Sequence, residues 1–400
     1  MILRNVNILG DKEPANILVS NGYVTAVTRD DVTEKAGELI ICLENALAVP
    51  GLINSHDHLD FNLFPPLGGD RCYTSYTEWG RHLHASFKKE IASVLKIPAL
   101  LRYQWGVYKN LLCGVTTVIN HGEKTGLKTD LITIYEDSHC LHSVRFEKNW
   151  KLKLNNPARR KKIVNIHIGE GTDASSSAEI DTFIRLNLLK RKLVGVHAVA
   201  MTEEQARAFE ALVWCPASNF FLLNKTAQVD LLQSQTALLF GTDSTLTGDW
   251  NIWRHLQSAR NTALLDDETL FTAVNLTAAS VWGLNTGSIT AGKDADLLIV
   301  KNKTGGYGFD EFFSICPEDI LLVIHKGRIN LFDESLLPQL ECERLDNFSR
   351  VFFGDCCKYI KGDLPALIDN IRQYKPDVKL PIAVNEAVRY KKGARNKFTT

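Results

Sequence analysis

Apolar and polar positions change rhythm twice along this chain. Over residues 1–49 the stretches ILRNVNIL, NILVSNGYVTAVT and LIICLENALAVP are β-rich. Turn residues separate them, among them Asn21-Gly22, a strong hairpin signal. From 50 to 286 short apolar runs (GLINSH, GVTTVIN, IVNIHI, LVGVHAV, TALLFGTDS) alternate with helical stretches such as EEQARAFEALV and LITIYEDSH. That alternation predicts βαβ units and a parallel sheet or barrel. DADLLIV and ILLVIHKGRINLF then return to strand texture. The two β-rich ends, 1–49 and 287–333, are therefore expected to meet in one composite β domain beside a 50–286 α/β unit. Residues 334–400, with LPALIDNIRQY, read as a helical C-terminal extension.

Composition narrows the function classes. Forty-six Lys+Arg balance 46 Asp+Glu, which leaves no basic footprint for nucleic acid and no polybasic membrane signal. With 45% hydrophobic and 23% charged residues among 400, the chain has the makings of a large core. No apolar run approaches the roughly 18 residues that span a bilayer. The first residues, MILRNVNILGDKEPANILVS, alternate and lack a signal peptide's apolar block. Nine scattered cysteines without a CxxC fit free thiols in a reducing compartment. A cytoplasmic protein is expected.

The chemistry concentrates where apolar runs end. AVPGLINSHDHLDFN closes a run on His56-Asp57-His58. Along a strand i and i+2 share a face, so two imidazoles point the same way. At the C-terminal end of a barrel strand that direction is the mouth, where such barrels hold their active sites. Two imidazoles are half of a zinc site. IVNIHIGEG ends on His167 and, three residues later, Glu170; LVGVHAV carries His197; TALLFGTDS closes on Asp243. Four histidines and two carboxylates repeat one placement.

With these segments in order the chain resembles the amidohydrolase superfamily, in its mononuclear deaminase and chlorohydrolase-like branch. The resemblance spans about 1–330 and rests on PGLINSHDH, the HxxE of His167–Glu170, the strand with His197, CPASN at 215–219, GTDS at 241–244 and GSITAGKDADLLIV at 287–300. It implies a (β/α)8-type TIM barrel with a small composite β domain. It also implies His56, His58, His167 and Asp243 as ligands of one divalent transition metal, Zn²⁺ above Fe²⁺ or Mn²⁺. Metal-bound hydroxide would then deaminate a small cyclic or heteroaromatic molecule. By resemblance Glu170 is the acid/base, Asp243 accepts the water's proton and His197 orients hydroxide or substrate. Asn219 and Ser244 are given supporting roles. No lysine ends an apolar run where a binuclear relative would need one. Ring or amide opening, as in imidazolonepropionase-like relatives, and a catalytically silent scaffold are the rival readings. A homodimer is what the resemblance implies for assembly.

One departure stands out. Only 17 residues, FEKNWKLKLNNPARRKK, separate the third-strand candidate (140–145) from IVNIHI, where a barrel would place a helix, a strand and a helix. A barrel abridged around the fourth strand is expected. For the substrate, the loop LGGDRCYTSYTEWGRHLH should overhang the mouth. Tyr73, Tyr76 and Trp79 would stack on a planar ring, or else pack on the barrel. Arg71 or Arg81 would meet an anionic substituent. His121, ending GVTTVINH, would look into the mouth, whereas His139, His142, His255 and His325 carry no expected role.

Overall fold

The computed structural model describes residues 1–34, 36–340 and 345–384. Its strands in chain order are β1 (Ile2–Ile8), β2 (Ala15–Ser20), β3 (Tyr23–Thr28), β4 (Ile40–Cys42), β5 (Ala46–Pro50), β6 (Leu52–Asp57), β7 (Val115–Asn120), β8 (Thr133–Tyr135), β9 (His139–Ser143) and β10 (Val164–Ile168). There follow β11 (Leu193–His197), β12 (Ala211–Trp214), β13 (Ala237–Phe240), β14 (Leu297–Lys301), β15 (Ile320–His325), β16 (Arg328–Asp333), β17 (Phe348–Phe353), β18 (Cys356–Lys361) and β19 (Ala383–Val384).

One mixed sheet joins both ends of the chain. Its path runs β19-β17-β18-β16-β15-β14-β5-β1-β2-β3, with β4 beside β1. The junction is the antiparallel pair β14–β5, where Leu298 faces Val49. Asn21 and Gly22 take left-handed φ of 52° and 87° at the β2–β3 turn, as an Asn-Gly hairpin demands. The expected helical extension needs correcting. Residues 348–384 hold one helix, Leu364–Tyr374, but β17 and β18 form a hairpin that widens this sheet. Four of the six residues of β17 are half-buried, while the middle four of β18 are buried between its two neighbours. Residues 341–344 and 385–400 of that extension lie outside the described residues.

The α/β unit is built from parallel pairs. β13-β12-β11-β10-β9 form one ladder and β6-β7-β8 another. The five residues of β10 and of β11 are all buried, the continuous apolar pattern of strands covered on both faces. LITIYEDSH, expected to be helical, supplies β8 instead. Its Thr-Ile-Tyr triplet is β-branched and aromatic.

The shortcut seen in the sequence has a structural form. β8 pairs only with β7 and β9 only with β10, and three residues separate them. A parallel crossover needs a dozen residues or more, so β8 and β9 are two halves of one interrupted strand. From β9 the chain reaches β10 through a short helix, Trp150–Leu154, and a 3₁₀ turn, Pro157–Arg159. The walk around the unit thus meets seven strand positions. At the far side, the amides of Thr242 and Asp243 both donate to the His56 carbonyl at 3.0 Å, and Asp57 and Asp243 form a parallel bridge. No helix among the described residues is long and apolar enough to cross a membrane.

Candidate active site

Three strand ends and one loop bring their polar groups to a single point. His56 ends β6 with His58 just beyond, His167 lies in β10, and Asp243 follows β13. His167 Nε2 lies 3.2 Å from Nε2 of both His56 and His58. Asp243 Oδ1 lies 3.6 Å from His56 Nε2 and 3.5 Å from His58 Nε2. Four ligands about 2.1 Å from a tetrahedral zinc ion would be about 3.4 Å apart. Burial holds His56 below, and His167 well below, the ordinary imidazole range, which favours neutral rings able to ligate a metal. Crowded ring nitrogens with so few protons among them suit a divalent cation.

Local geometry enforces this convergence. A Cβ on Gly241 would approach His56 Cβ to 2.6 Å, so only glycine lets the loop after β13 press onto β6. Asp243 then adopts φ 63°, a left-handed conformation that costs a non-glycine residue about 1–2 kcal/mol. Its Oδ2 accepts from Ser218 Oγ at 2.7 Å and Thr247 Oγ1 at 2.8 Å. Oδ1 is thereby left facing the histidines. Ser244, expected to support this loop, lines the cavity; Ser218 and Thr247 hold the carboxylate.

Beneath the histidines runs a buried network that the sequence did not announce. Helices α1 (Tyr76–Ser86), α2 (Lys88–Leu95) and α3 (Ala99–Leu111) connect β6 to β7. Gly106 in α3 lets that helix touch the backbone at Leu59, where a Cβ would meet the carbonyl oxygen at 2.3 Å and clash outright. One turn on, Lys109 Nζ donates to Asp57 Oδ2 at 2.8 Å and to Thr242 Oγ1 at 3.1 Å. Asn110 Nδ2 donates to the same Oδ2 at 2.8 Å, and Asn62 Nδ2 to Oδ1 at 2.8 Å. Asn54 Nδ2 donates to Thr242 Oγ1 at 2.8 Å. Asp57, between the two histidines of HDH, is thus the anchor that aims them.

His197 and Glu170 form the opposite side. Asn219 Nδ2 can only donate, so its 3.1 Å bond makes His197 Nδ1 the acceptor. The proton of the neutral ring is then on Nε2, which faces Glu170 Oε2 at 3.6 Å. That tautomer presents a donor toward the site, and His197 also lies close enough to His56 and His167 for the three to share a metal ion. Burial lowers its pKa to about 3, and its φ of 72° is left-handed. Burial, with Asp243 and Glu179 adding like charge, pushes Glu170 well above the usual carboxylate range. Asp243 goes the other way: burial opposes its charge, but the His56 hydrogen bond and the neighbouring imidazoles hold it well below. Two carboxylates with pKa values driven apart are an acid and a base in waiting.

A cavity of about 790 Å³ opens over these groups. Phe61, Phe64, Tyr76, Trp79 and Phe146 give it aromatic walls. Phe61 stacks on His58, 5.3 Å between centroids. Trp79 lines the cavity with its indole N–H held by the Leu67 carbonyl. His121 is buried against His167, 4.1 Å between ring centroids, with neither ring nitrogen partnered. It is not among the residues that line the cavity. Arg71 is not brought to the cavity: its half-exposed guanidinium lies over the Tyr73 ring and faces Glu78 at 4.0 Å. Arg81 lines the cavity instead. His142, to which no role was given, lines it too, its ring 5.1 Å from that of His167.

Comparisons with known proteins bear on the family and the fold. Residues 148–329 match the model of the amidohydrolase family. A 5'-deoxyadenosine deaminase of Methanosphaera stadtmanae is 20% identical, covering 84% of this chain and 94% of that protein. Among solved structures, a zinc-bound adenosine deaminase from Xanthomonas campestris has a TM-score of 0.65 at 18% identity, covering 94% of this chain and 98% of that one. A mutant atrazine chlorohydrolase from Arthrobacter aurescens, complexed with zinc and atraton, has a TM-score of 0.69 at 15% identity over 93% and 99%. These likenesses establish a TIM-barrel-type fold with a separate domain.

Proposed function

We propose, from the premise that this chain belongs to the amidohydrolase superfamily and to its deaminase and chlorohydrolase-like branch, that it hydrolytically deaminates a small heteroaromatic amine. The observation that carries this reading is the convergence of the His56, His58 and His167 Nε2 atoms and Asp243 Oδ1 at 3.2–3.6 Å, with Glu170 and His197 beside them at the cavity. His56, His58, His167 and Asp243 would hold one divalent ion, for which zinc suits three imidazoles and a carboxylate best. When bound, such an ion supplies Lewis acidity and brings the pKa of water toward about 7.

The remaining chemistry belongs to the side chains. Glu170, kept protonated by burial, gives its proton to a ring nitrogen beside the amine-bearing carbon. Asp243 Oδ1 accepts the proton lost by the attacking water. His197 Nε2–H donates to the oxygen that adds to the carbon. As the carbonyl forms, Glu170 takes the proton of the added hydroxyl and passes it to the departing amine, which leaves as ammonia, and the proton held by Asp243 returns to Glu170. His56, His58 and their Asp57 anchor orient; they transfer no proton. The strand wall, in this reading, closes as a seven-stranded barrel through the bonds from Thr242 and Asp243 to His56.

The relatives named for adenosine-type substrates make aminopurines the first class to try, with triazines and pyrimidines beside them. Metal content measured alongside ammonia release tests the proposal. About one equivalent of metal with ammonia from an aminated heterocycle supports it. An opened ring or a cleaved amide without free ammonia would move the assignment to the imidazolonepropionase type. Full metal occupancy without turnover of any class would favour the scaffold.

A further inference from the structure

The wall formed by α1 and α2 carries chemistry that the reaction does not use. Tyr76, Trp79, Leu83, His84, Lys88 and Ile91 all line the cavity. Tyr76, Trp79 and Leu83 recur at three- and four-residue steps along one face of α1, and Lys88 and Ile91 continue the wall from α2. The stripe begins at the reaction centre, because the Tyr76 amide donates to the Glu170 carbonyl at 3.0 Å. From there it changes character outward. Aromatic rings come first, then Arg81, His84 and Lys88, and finally the aliphatic Ile91 and Leu95.

The cationic band has no protein partner. Neither Arg81 nor Lys88 forms an ion pair among the described residues. Glu78 feels the charge of Arg81, but its oxygens face Thr74 and Arg71. The carboxylates lining the cavity are Glu170 and Asp243 in its depth. At 1.5 Å per residue, Arg81 and His84 stand about 8 and 12 Å along the helix from Tyr76.

We infer that the substrate carries an anionic oxyacid group beyond its heteroaromatic ring, joined by an apolar spacer and lying toward the part of the cavity lined by Arg81 and Lys88. Arg81 and Lys88 are specificity-determining residues for that group. A fork of guanidinium donors and a flexible ammonium fit an oxyacid, and aromatic walls fit the ring and spacer. The inference rests on the heteroaromatic amine reading, which it makes more specific.

The test uses metal-loaded full-length protein and adenines bearing N9-alkyl chains of one length that end in carboxylate, phosphonate, methyl or ammonium. Ammonia release gives kcat/KM, and calorimetry gives Kd, for each compound. An anionic end is expected to exceed the ammonium end by about tenfold or more, a gap that shrinks with salt. The carboxylate and phosphonate arms show which oxyacid is meant. The double variant Arg81→Gln with Lys88→Gln is expected to collapse that ratio toward one, while circular dichroism and metal content show that it is folded. Equal or reversed preference, or a ratio indifferent to the double variant, overturns the inference. Absence of ammonia from all four compounds counts against the deaminase reading. In that case tighter, salt-sensitive binding of the anionic compounds still upholds the inference, and equal or undetectable binding overturns it.

Discussion

The histidine–carboxylate centre and the seam where a strand is skipped lie on the same wall, yet they are built to opposite standards. At the centre, side chains from β6, α3, β10, β13 and the loops beyond them tie one another down. Asp57 alone accepts from Lys109, Asn110, Asn62 and Asn54. At the seam, β8 and β9 each lose a neighbour on one side, and a short helix replaces a whole strand–helix unit. The lesson is that this fold can lose a unit that brings no ligand, because ligand geometry is enforced by local networks rather than by the completeness of the wall. Damage to the centre should therefore abolish chemistry, and damage to the seam should cost stability alone.

The largest effect is expected at Glu170. Glu170→Gln keeps the shape but removes the titrating proton, so turnover should fall by about 10²–10⁴-fold with metal content unchanged. Retained turnover would show that the proton travels by another group. Next comes Asp243→Ala, which removes one of the four converging atoms and frees Ser218 and Thr247. Bound metal and rate should drop together, and added metal should restore little. Treatment with a chelator should mimic this in the unmodified protein, with activity returning on metal addition.

Lys109→Met separates the two regions most cleanly. Lys109 is 2% and Asp57 0% exposed in the ion pair, and breaking a buried pair from one side costs about 3–5 kcal/mol. The melting temperature should fall, and metal affinity with it, since the bridge that Lys109 makes between Asp57 and Thr242 is lost while Asn54 still bonds Thr242. Adding Asp57→Asn removes the stranded charge and should recover part of the stability. If metal affinity is untouched while stability falls, the network supports the fold without aiming His56 and His58.

How much of this was legible depended on where each residue's partners lie in the chain. His56, His58, His167, His197, Glu170 and Asp243 announce themselves because each ends an apolar run, and a parallel wall brings such ends together. The shortage of residues between 145 and 163 likewise betrayed the missing unit. Lys109 and Asn110 were hidden inside ALLRYQWGVYKNL, which reads as an ordinary amphipathic helix. Their partner Asp57 is more than fifty residues away, and no local pattern reports such a pairing. His142 escaped because β9 is too short and mixed for its faces to be told apart. Arg71 and Arg81 could not be ranked from sequence: helix α1 begins at Tyr76, so Arg81 follows the helical face while Arg71 stays in the loop.

The smallest expected effects belong to the seam, where Arg191 is the staple. From the turn before β11 it reaches His139 Nδ1 at 2.8 Å, the Leu154 carbonyl at 3.0 Å and the Lys162 carbonyl at 2.9 Å. It thereby joins the start of β9, the end of the short helix and the start of β10. Arg191→Met should cost about 1–3 kcal/mol, the range for leaving buried acceptors unpaired, with metal content and kcat unchanged. Acid should act on the same staple. Burial and then the Arg191 charge lower the His139 pKa to about 4, against 6.5 for a free imidazole. A depressed histidine pKa stabilises the fold fully above 6.5, and that contribution is lost as pH falls from 6.5 through 4. His139→Asn keeps an acceptor but does not titrate, so its stability should decline less steeply over that window. A wild-type slope in the variant would mean that the acid sensitivity lies elsewhere, and the seam would then be held by Arg191 and the two carbonyls alone.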